Sequence, residues 1–262
     1  MTNTVAIVQA RMSSTRLPGK VLLPLGRRPV IGQVFHQLSF SRTLTRSLLA
    51  TSVDASDDPL AEWARSASVE CVRGRLDDVL DRFHRASMSA RADVIVRITG
   101  DCPLIDPEIV DAAVQKFSDG GLDYLSNSLP PTFPDGMDVE VFTARALDLA
   151  WKNAGLSSER EHVTPYIRNH PELFKLGNLV NAENLESVRL TLDNPEDYKL
   201  LSAVCAKLEK NDRYVRMAEI LELLRNDEQL TDINKHISRN EGYVASLKQD
   251  MKRTMDNRKK EE

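Results

Sequence analysis

Eleven residues behind the first apolar run hold the densest chemistry in the chain. Ala10-Arg11-Met12-Ser13-Ser14-Thr15-Arg16-Leu17-Pro18-Gly19-Lys20 crowds three cations, three hydroxyl residues and a glycine into one loop. Backbone N–H groups and hydroxyls there can bond phosphate oxygens while Arg and Lys neutralise their charge, so the loop suits a polyphosphate. The alternative is a solvated basic loop. Two aspartates supply the complementary chemistry. Asp101 follows the run VIVRIT and Gly100, and Asp193 follows VRLTL; each stands at an expected strand end just before a helix. Two carboxylates converging from strand ends, with phosphate oxygens as the remaining ligands, suit Mg²⁺. Asp193 has a second reading as part of a helix cap in Asp193-Asn194-Pro195-Glu196-Asp197, while Asp197 and Asp106 read as helix-start residues.

Several familiar chemistries are missing. Lys20 is followed by Val21, and no Gly lies five positions before Gly19, so this is not a Walker A loop. No G-x-G-x-x-G, H-E-x-x-H, G-x-S-x-G or D-x-D occurs. The five histidines have no Cys partner, which argues against zinc.

The elements that must carry these residues alternate. Thr4–Gln9 reads as a buried strand, followed by a helix over Pro29–Phe40. A strand at Ser47–Ser52 leads to a helix over Pro59–Ala67 capped by Asp57. Val69–Arg73, Val94–Thr99 and Asp138–Phe142 read as strands, and Asp77–Ala90, Asp106–Lys116 and Thr143–Ala154 as helices or their caps. Glu159–Asn169 is expected as one helix, Val188–Leu192 as a strand and Pro195–Leu208 as a helix. From Met217 onward the chain reads as helical, with Lys252–Glu262 frayed. Strand–helix alternation predicts a mostly parallel sheet covered by helices, with the ligand crevice beyond the C-terminal strand ends. The loops after Gln9 and Thr99 then face the ligand.

With 262 residues, the chain has enough length for one elaborated domain. A net charge of −4, from 35 Lys+Arg against 39 Asp+Glu, gives no bulk attraction to nucleic acid or anionic membrane. No uninterrupted apolar run approaches membrane-spanning length, and no signal peptide is visible. Cys71, Cys102 and Cys205 are widely separated and odd in number, which suits a reducing cytoplasm. Met217, Ile220, Leu221, Leu223 and Leu224 form a helical apolar stripe, read as core or as a dimer contact.

The blocks VQARMSSTRLPGKVL, VRGRLDDVLDRF, RITGDCPLIDP, REHVTPYI and LTLDNPEDYKLL, spread over about residues 4–201, carry a resemblance. They look like the signatures of cytidylyltransferases that activate acidic sugars, such as CMP-Kdo synthetase and acylneuraminate cytidylyltransferase. The full arrangement is most similar to the spore-coat polysaccharide biosynthesis cytidylyltransferases. That resemblance implies a three-layer α/β, Rossmann-like nucleotide-diphosphosugar transferase (GT-A-like) fold with a mostly parallel mixed sheet and a helical C-terminal extension. It implies a nucleotidyltransferase domain over 1–210, with acceptor-binding insertions in 121–187 and the extension over 211–262.

By motif position it assigns phosphate contacts to Arg11, Arg16 and Lys20, with Ser13 and Ser14 in the same loop. Ala10 would lie beside the nucleoside, Arg73 and Thr99 would touch the nucleotide, and Asp101 and Asp193 would hold Mg²⁺. Arg11, Lys20 and Asp101 are the expected catalytic residues. The acceptor, a small acid such as a sugar acid, would meet Arg97, Asn127, Asp138, Glu140, Arg160 and His162, each of which also has a purely structural reading. Several CMP-sugar synthetases carry a Gln shortly before the Asp101 position, where this chain has Arg97 and Thr99, which weakens any inference to cytosine or Kdo. CTP is the expected donor, and a homodimer is expected only by analogy. Two rival functions are a glycosyltransferase of the related fold and a non-catalytic nucleotide-binding module.

Overall fold

The computed structural model describes residues 2–239 together with Ser246, Leu247 and Asp250. Seven strands form the main sheet: β1 (Thr4–Gln9), β4 (Arg46–Ser52), β5 (Cys71–Gly74), β6 (Val94–Thr99), β7 (Tyr124–Ser126), β8 (Glu140–Thr143) and β9 (Leu176–Asn178). A two-residue hairpin, β2 (Pro24–Leu25) with β3 (Arg28–Pro29), stands apart. The helices are α1 (Val30–Leu38), α2 (Asp58–Ser66), α3 (Val79–Ala90), α4 (Pro107–Gly120), α5 (Ala144–Asn153), α6 (Ser157–His162), α7 (Pro165–Asn169), α8 (Pro195–Leu208), α9 (Met217–Asn226) and α10 (Glu228–Thr231).

Strand order is β5-β4-β1-β6-β8-β7-β9. β8 runs antiparallel to both of its neighbours, and the other pairs are parallel. Period-two alternation along β1 sorts its side chains into two cores. Ala6 and Val8 join a cluster with Ile31 of α1, Leu60 of α2, Val110 of α4, Leu201 of α8, Ile220 of α9 and Leu230 of α10. Val5 and Ile7 join Phe83 of α3, Leu147 of α5 and Ile167 of α7 on the opposite face. The result is a helix–sheet–helix sandwich. Ile220, Leu221 and Leu224 of the C-terminal stripe are buried, the first and last within the larger core. No helix among the described residues is long and apolar enough to cross a membrane. Lys252–Glu262, expected to fray, lies outside the described residues.

Three local expectations need correction. Glu159–Asn169 is two short helices, because Val163 turns to φ 72° and Pro165 has no N–H to continue the ladder. Val188–Leu192 is an extended connector rather than a sheet strand. Its backbone bonds to loops instead: Leu190 N donates to Asp135 O (2.6 Å) and Leu192 N to Asp101 O (2.8 Å). Asp57 does not cap α2 with its side chain; its carboxylate faces the opposite way, into the loop after β1.

Candidate active site

β1 and β6 lie side by side in parallel, with Gln9 in register with Thr99, so the loops leaving them open at the same edge. There the chain forms a cleft of about 470 Å³. It is lined by Ala10, Arg11, Ser13, Ser14, Thr15, Arg16 and Lys20 from the first loop, Thr99, Gly100 and Asp101 from the second, and Asp193. Gln9, Val21, Val79, Arg82, Glu161 and His162 complete the wall.

The first loop is shaped by short contacts. Ser14 N and Gly19 N both donate to Met12 O, at 2.9 and 3.0 Å. Gly19 adopts φ +71°, a left-handed conformation that costs glycine no Cβ clash, and this turns the chain into the 3₁₀ turn Lys20–Leu22. Asp57 anchors the loop from below: one oxygen accepts from Met12 N at 2.6 Å, the other from Ser52 N at 3.1 Å and from Ser52 Oγ. Nothing in the sequence pattern pointed to that anchor. Asp57 looks like any residue opening a helix.

Lys20 is the centre of the cleft. Its Nζ donates to Asp101 Oδ2 (2.9 Å), Asp193 Oδ1 (2.8 Å) and Leu192 O (2.6 Å). Burial alone would lower the Lys20 pKa, but Asp101 and then Asp193 outweigh it and raise it. For Asp101, burial pushes upward, but the Lys20 charge and the hydrogen bonds from Lys20, Thr99 and the backbone together outweigh it, holding the carboxyl down to about 2. Arg16 adds a second cation 3.0 Å from Asp193. Asp193 is steered from behind: its other oxygen takes Arg189 Nη2 at 3.1 Å, and Arg189 also pairs with Asp135 (2.9 Å) and Asp197 (2.8 Å). Arg189 and Asp193 are four residues apart on an expected strand and loop, a spacing that gave no sequence signal of contact.

The structure therefore brings Ala10, Arg11, Ser13, Ser14, Arg16, Lys20, Thr99, Asp101 and Asp193 to one cleft. Arg73 is not among the cleft residues. Its Nε donates to Ser52 O (2.7 Å) and its Nη2 to Asp58 Oδ1 (2.7 Å), which stitches β5 to the start of α2.

The expected acceptor residues divide. His162 lines the cleft, with Nε2 3.0 Å from Ser246 Oγ. Burial first, and then the Arg97 charge, bring its pKa down to about 4, so it stands neutral at pH 7. Arg97 sits one layer behind the wall, donating to Gln9 Oε1 (2.9 Å) and paired with Glu140. Glu140 is buried and further accepts from Tyr124 Oη (2.6 Å) and Thr164 Oγ1 (2.5 Å). Asn127 is wholly buried and clamps the backbone of Met137 and Val139 at 2.7 and 2.8 Å. Arg160 grips Asp78 through two nitrogens, at 3.1 and 2.6 Å, and Trp151 O at 2.8 Å. Asp138 pairs with Arg239. In this structure Asn127, Glu140 and Arg160 act as internal ties rather than cleft contacts. Glu161, beside His162, does face the cleft, 3.6 Å from Arg11.

Residues 5–237 match the protein-family model described as Cytidylyltransferase. An uncharacterized protein of Methanocaldococcus jannaschii is 39% identical over 237 residues, covering 89% of this chain and 95% of that protein. The spore coat polysaccharide biosynthesis protein SpsF of Bacillus subtilis is 36% identical over 88% of this chain and 98% of its own. A 3-deoxy-manno-octulosonate cytidylyltransferase of Trichlorobacter lovleyi is 35% identical over 43% of this chain and 44% of that enzyme.

Among solved structures, a cytidylyltransferase from Leptospira borgpetersenii superposes with a TM-score of 0.83 at 33% identity, covering 88% of this chain and 97% of its own. The synthetase of CMP:2-keto-3-deoxy-manno-octonic acid, solved with CTP, shares the fold at a TM-score of 0.61 and 16% identity, over 79% and 99%. A family match from residue 5 to residue 237, with relatives aligned over nearly their whole length, places the chain by sequence and by fold: it belongs to the cytidylyltransferase family.

Proposed function

We propose that this chain uses CTP to transfer a cytidylyl group to an oxygen of a small sugar acid, releasing pyrophosphate, with Mg²⁺ as cofactor. The observation that carries the reading is the Lys20 ammonium held between Asp101 and Asp193 at the foot of a loop rich in cations and hydroxyls. Support for CTP comes from the family and from the related synthetase that was solved with CTP. Support for a sugar acid comes from the octulosonate cytidylyltransferase among the relatives, and support for a glycan role from SpsF.

In this reading the acceptor oxygen attacks the α-phosphorus, a new P–O bond forms, and the bond to the pyrophosphate oxygen breaks. Arg11, Arg16 and Lys20 hold the phosphates, assisted by Ser13 and Ser14, and they neutralise charge gathering on the leaving group. Ala10 lets the nucleoside approach the end of β1, and Thr99 borders Asp101. The donor set fits Mg²⁺: Asp101 and Asp193 already converge on one cation, and both open onto the cleft, where phosphate oxygens complete a hard-oxygen shell. When bound, the metal supplies further neutralisation of the phosphates. Glu161 and neutral His162 form the wall facing the acceptor, which enters past the segments in 121–187.

The test is pyrophosphate release from CTP and Mg²⁺ across a panel of sugar acids, with the CMP product identified by mass. Release with at least one acid supports the reading. Release only with another triphosphate, or glycosyl transfer from a sugar nucleotide instead, overturns it.

A further inference from the structure

Lys20 has two demands on one ammonium. To contact phosphates it needs free donors, and an ammonium carries three. In this structure all three are taken, by Asp101 Oδ2 (2.9 Å), Asp193 Oδ1 (2.8 Å) and Leu192 O (2.6 Å).

The two carboxylates are equally committed. Asp101 Oδ1 lies toward Cys102 Sγ at 3.8 Å, and Asp193 Oδ2 takes Arg189 Nη2 at 3.1 Å, so the oxygens that converge are the pair on the lysine. Asp193 also stands 3.0 Å from Arg16, which sets three cations around one carboxylate. A divalent cation brought to the converging oxygens meets the Lys20 charge in the same place and the Arg16 charge beside it. Side-chain exposure is 9% for Lys20 but 27% and 22% for Asp101 and Asp193, so a cation arriving through the cleft reaches the carboxylates from the open side.

The lysine has the means to leave. Its four-carbon stem is flexible, and it follows Gly19 in the loop whose Arg11, Ser13, Ser14 and Arg16 line the same cleft. A triphosphate on that loop offers the ammonium new acceptors. A metal alone offers none, and displacing Lys20 without them strands a buried charge, which is costly.

We propose that Lys20 is an exchangeable occupant of the metal position. It bridges Asp101 and Asp193 until a triphosphate draws the ammonium onto its oxygens, so that metal and triphosphate bind as a coupled pair. The inference rests on the reading above, in which the aspartates hold the metal and the loop holds the phosphates, and it adds why the two ligands need each other.

Mn²⁺ binding, read from the electron paramagnetic resonance of the free ion, tests it without turnover. The wild type is expected to bind Mn²⁺ weakly alone and more tightly with CTP or inorganic tripolyphosphate. Lys20→Met should bind Mn²⁺ alone roughly 10-fold or more tightly than the wild type, and the further gain from CTP should shrink. Lys20→Arg, which keeps the charge, should bind Mn²⁺ alone as weakly as the wild type. Should Lys20→Met not fold, Lys20→Gln, which keeps a donor without the charge, takes its place. A folded neutral variant that binds Mn²⁺ alone no better than the wild type overturns the inference. Equal wild-type affinity for Mn²⁺ with and without tripolyphosphate also overturns it. Coupling to tripolyphosphate without any binding of CTP supports it and overturns the CTP reading instead. No Mn²⁺ binding under any of these conditions overturns the metal reading and the inference together.

Discussion

The two walls of the cleft are built on different principles. The phosphate-loop wall comes from one contiguous stretch, residues 10–20, anchored at the end of a buried strand, and its polar side chains face the opening. The opposite wall, with Glu161 and His162, is backed by segments far apart in sequence, and the polar residues behind it are engaged with one another. Glu140 is bonded to Arg97, Tyr124 and Thr164, and Arg160 to Asp78, 82 residues away. A contiguous loop at a strand end carries its geometry with it. A wall made from scattered segments must first hold itself together, and polar residues there serve as ties before they serve as contacts.

The largest effect expected from this contrast lies at the loop side. Asp101→Asn should lower turnover by roughly 100- to 1,000-fold, because it removes one of the two carboxylates that converge with the phosphates. Its thermal midpoint should stay close to the wild type, since Lys20 keeps Asp193 and Leu192 O as partners. Steady-state kinetics beside a thermal melt separates the two. A stable, fully active Asp101→Asn would break the comparison at its stronger end.

Arg160→Met should show the reverse. Losing the paired contact with Asp78, whose carboxylate caps α3 through Asp81 N at 2.9 Å, is expected to cost about 1–3 kcal/mol. At this chain length that is a drop of roughly 2–12 °C in melting temperature, with kcat at saturating substrate little changed. A variant that melts normally but loses saturating turnover would return Arg160 to the acceptor site.

The same contrast explains what could be read from sequence. The strands Thr4–Gln9 and Val94–Thr99 were visible because β-branched runs bounded by polar loops leave few alternatives, and the two loops they position followed from sheet topology. The cations and hydroxyls of residues 11–20 were legible as a phosphate-suited loop from their place after β1, while the separate roles of Ala10, Arg11 and Lys20 came from the family resemblance. Asp57 and Arg189 were invisible because their function depends on what lies across the fold: Met12 N for one, Asp193 and Asp135 for the other. Arg73, expected at the nucleotide, bonds Ser52 O and Asp58 in this structure, since a cation at a strand end has two directions to turn. The helix expected over 159–169 concealed the Val163 break that sets His162 at the cleft rim.

A further effect, confined to low pH, concerns that histidine. Its folded pKa of about 4 lies below the ordinary 6.5, so the unfolded chain binds more protons between those values. His162 therefore costs no stability above about pH 6.5, and stability falls as pH drops toward 4, by on the order of 1–3 kcal/mol. In His162→Gln that part of the slope should vanish, as read from urea midpoints at pH 4.5, 5.5 and 7. Parallel midpoints for wild type and variant would show that His162 is not held neutral, and would loosen the link between Arg97 and the cleft wall.

The most direct test of the account is calorimetric titration of CTP, UTP, ATP and GTP into the wild-type protein, each with and without Mg²⁺. CTP is expected to bind most tightly, with Mg²⁺ strengthening the binding. Tighter binding of another triphosphate, or no binding of any of the four, would contradict it.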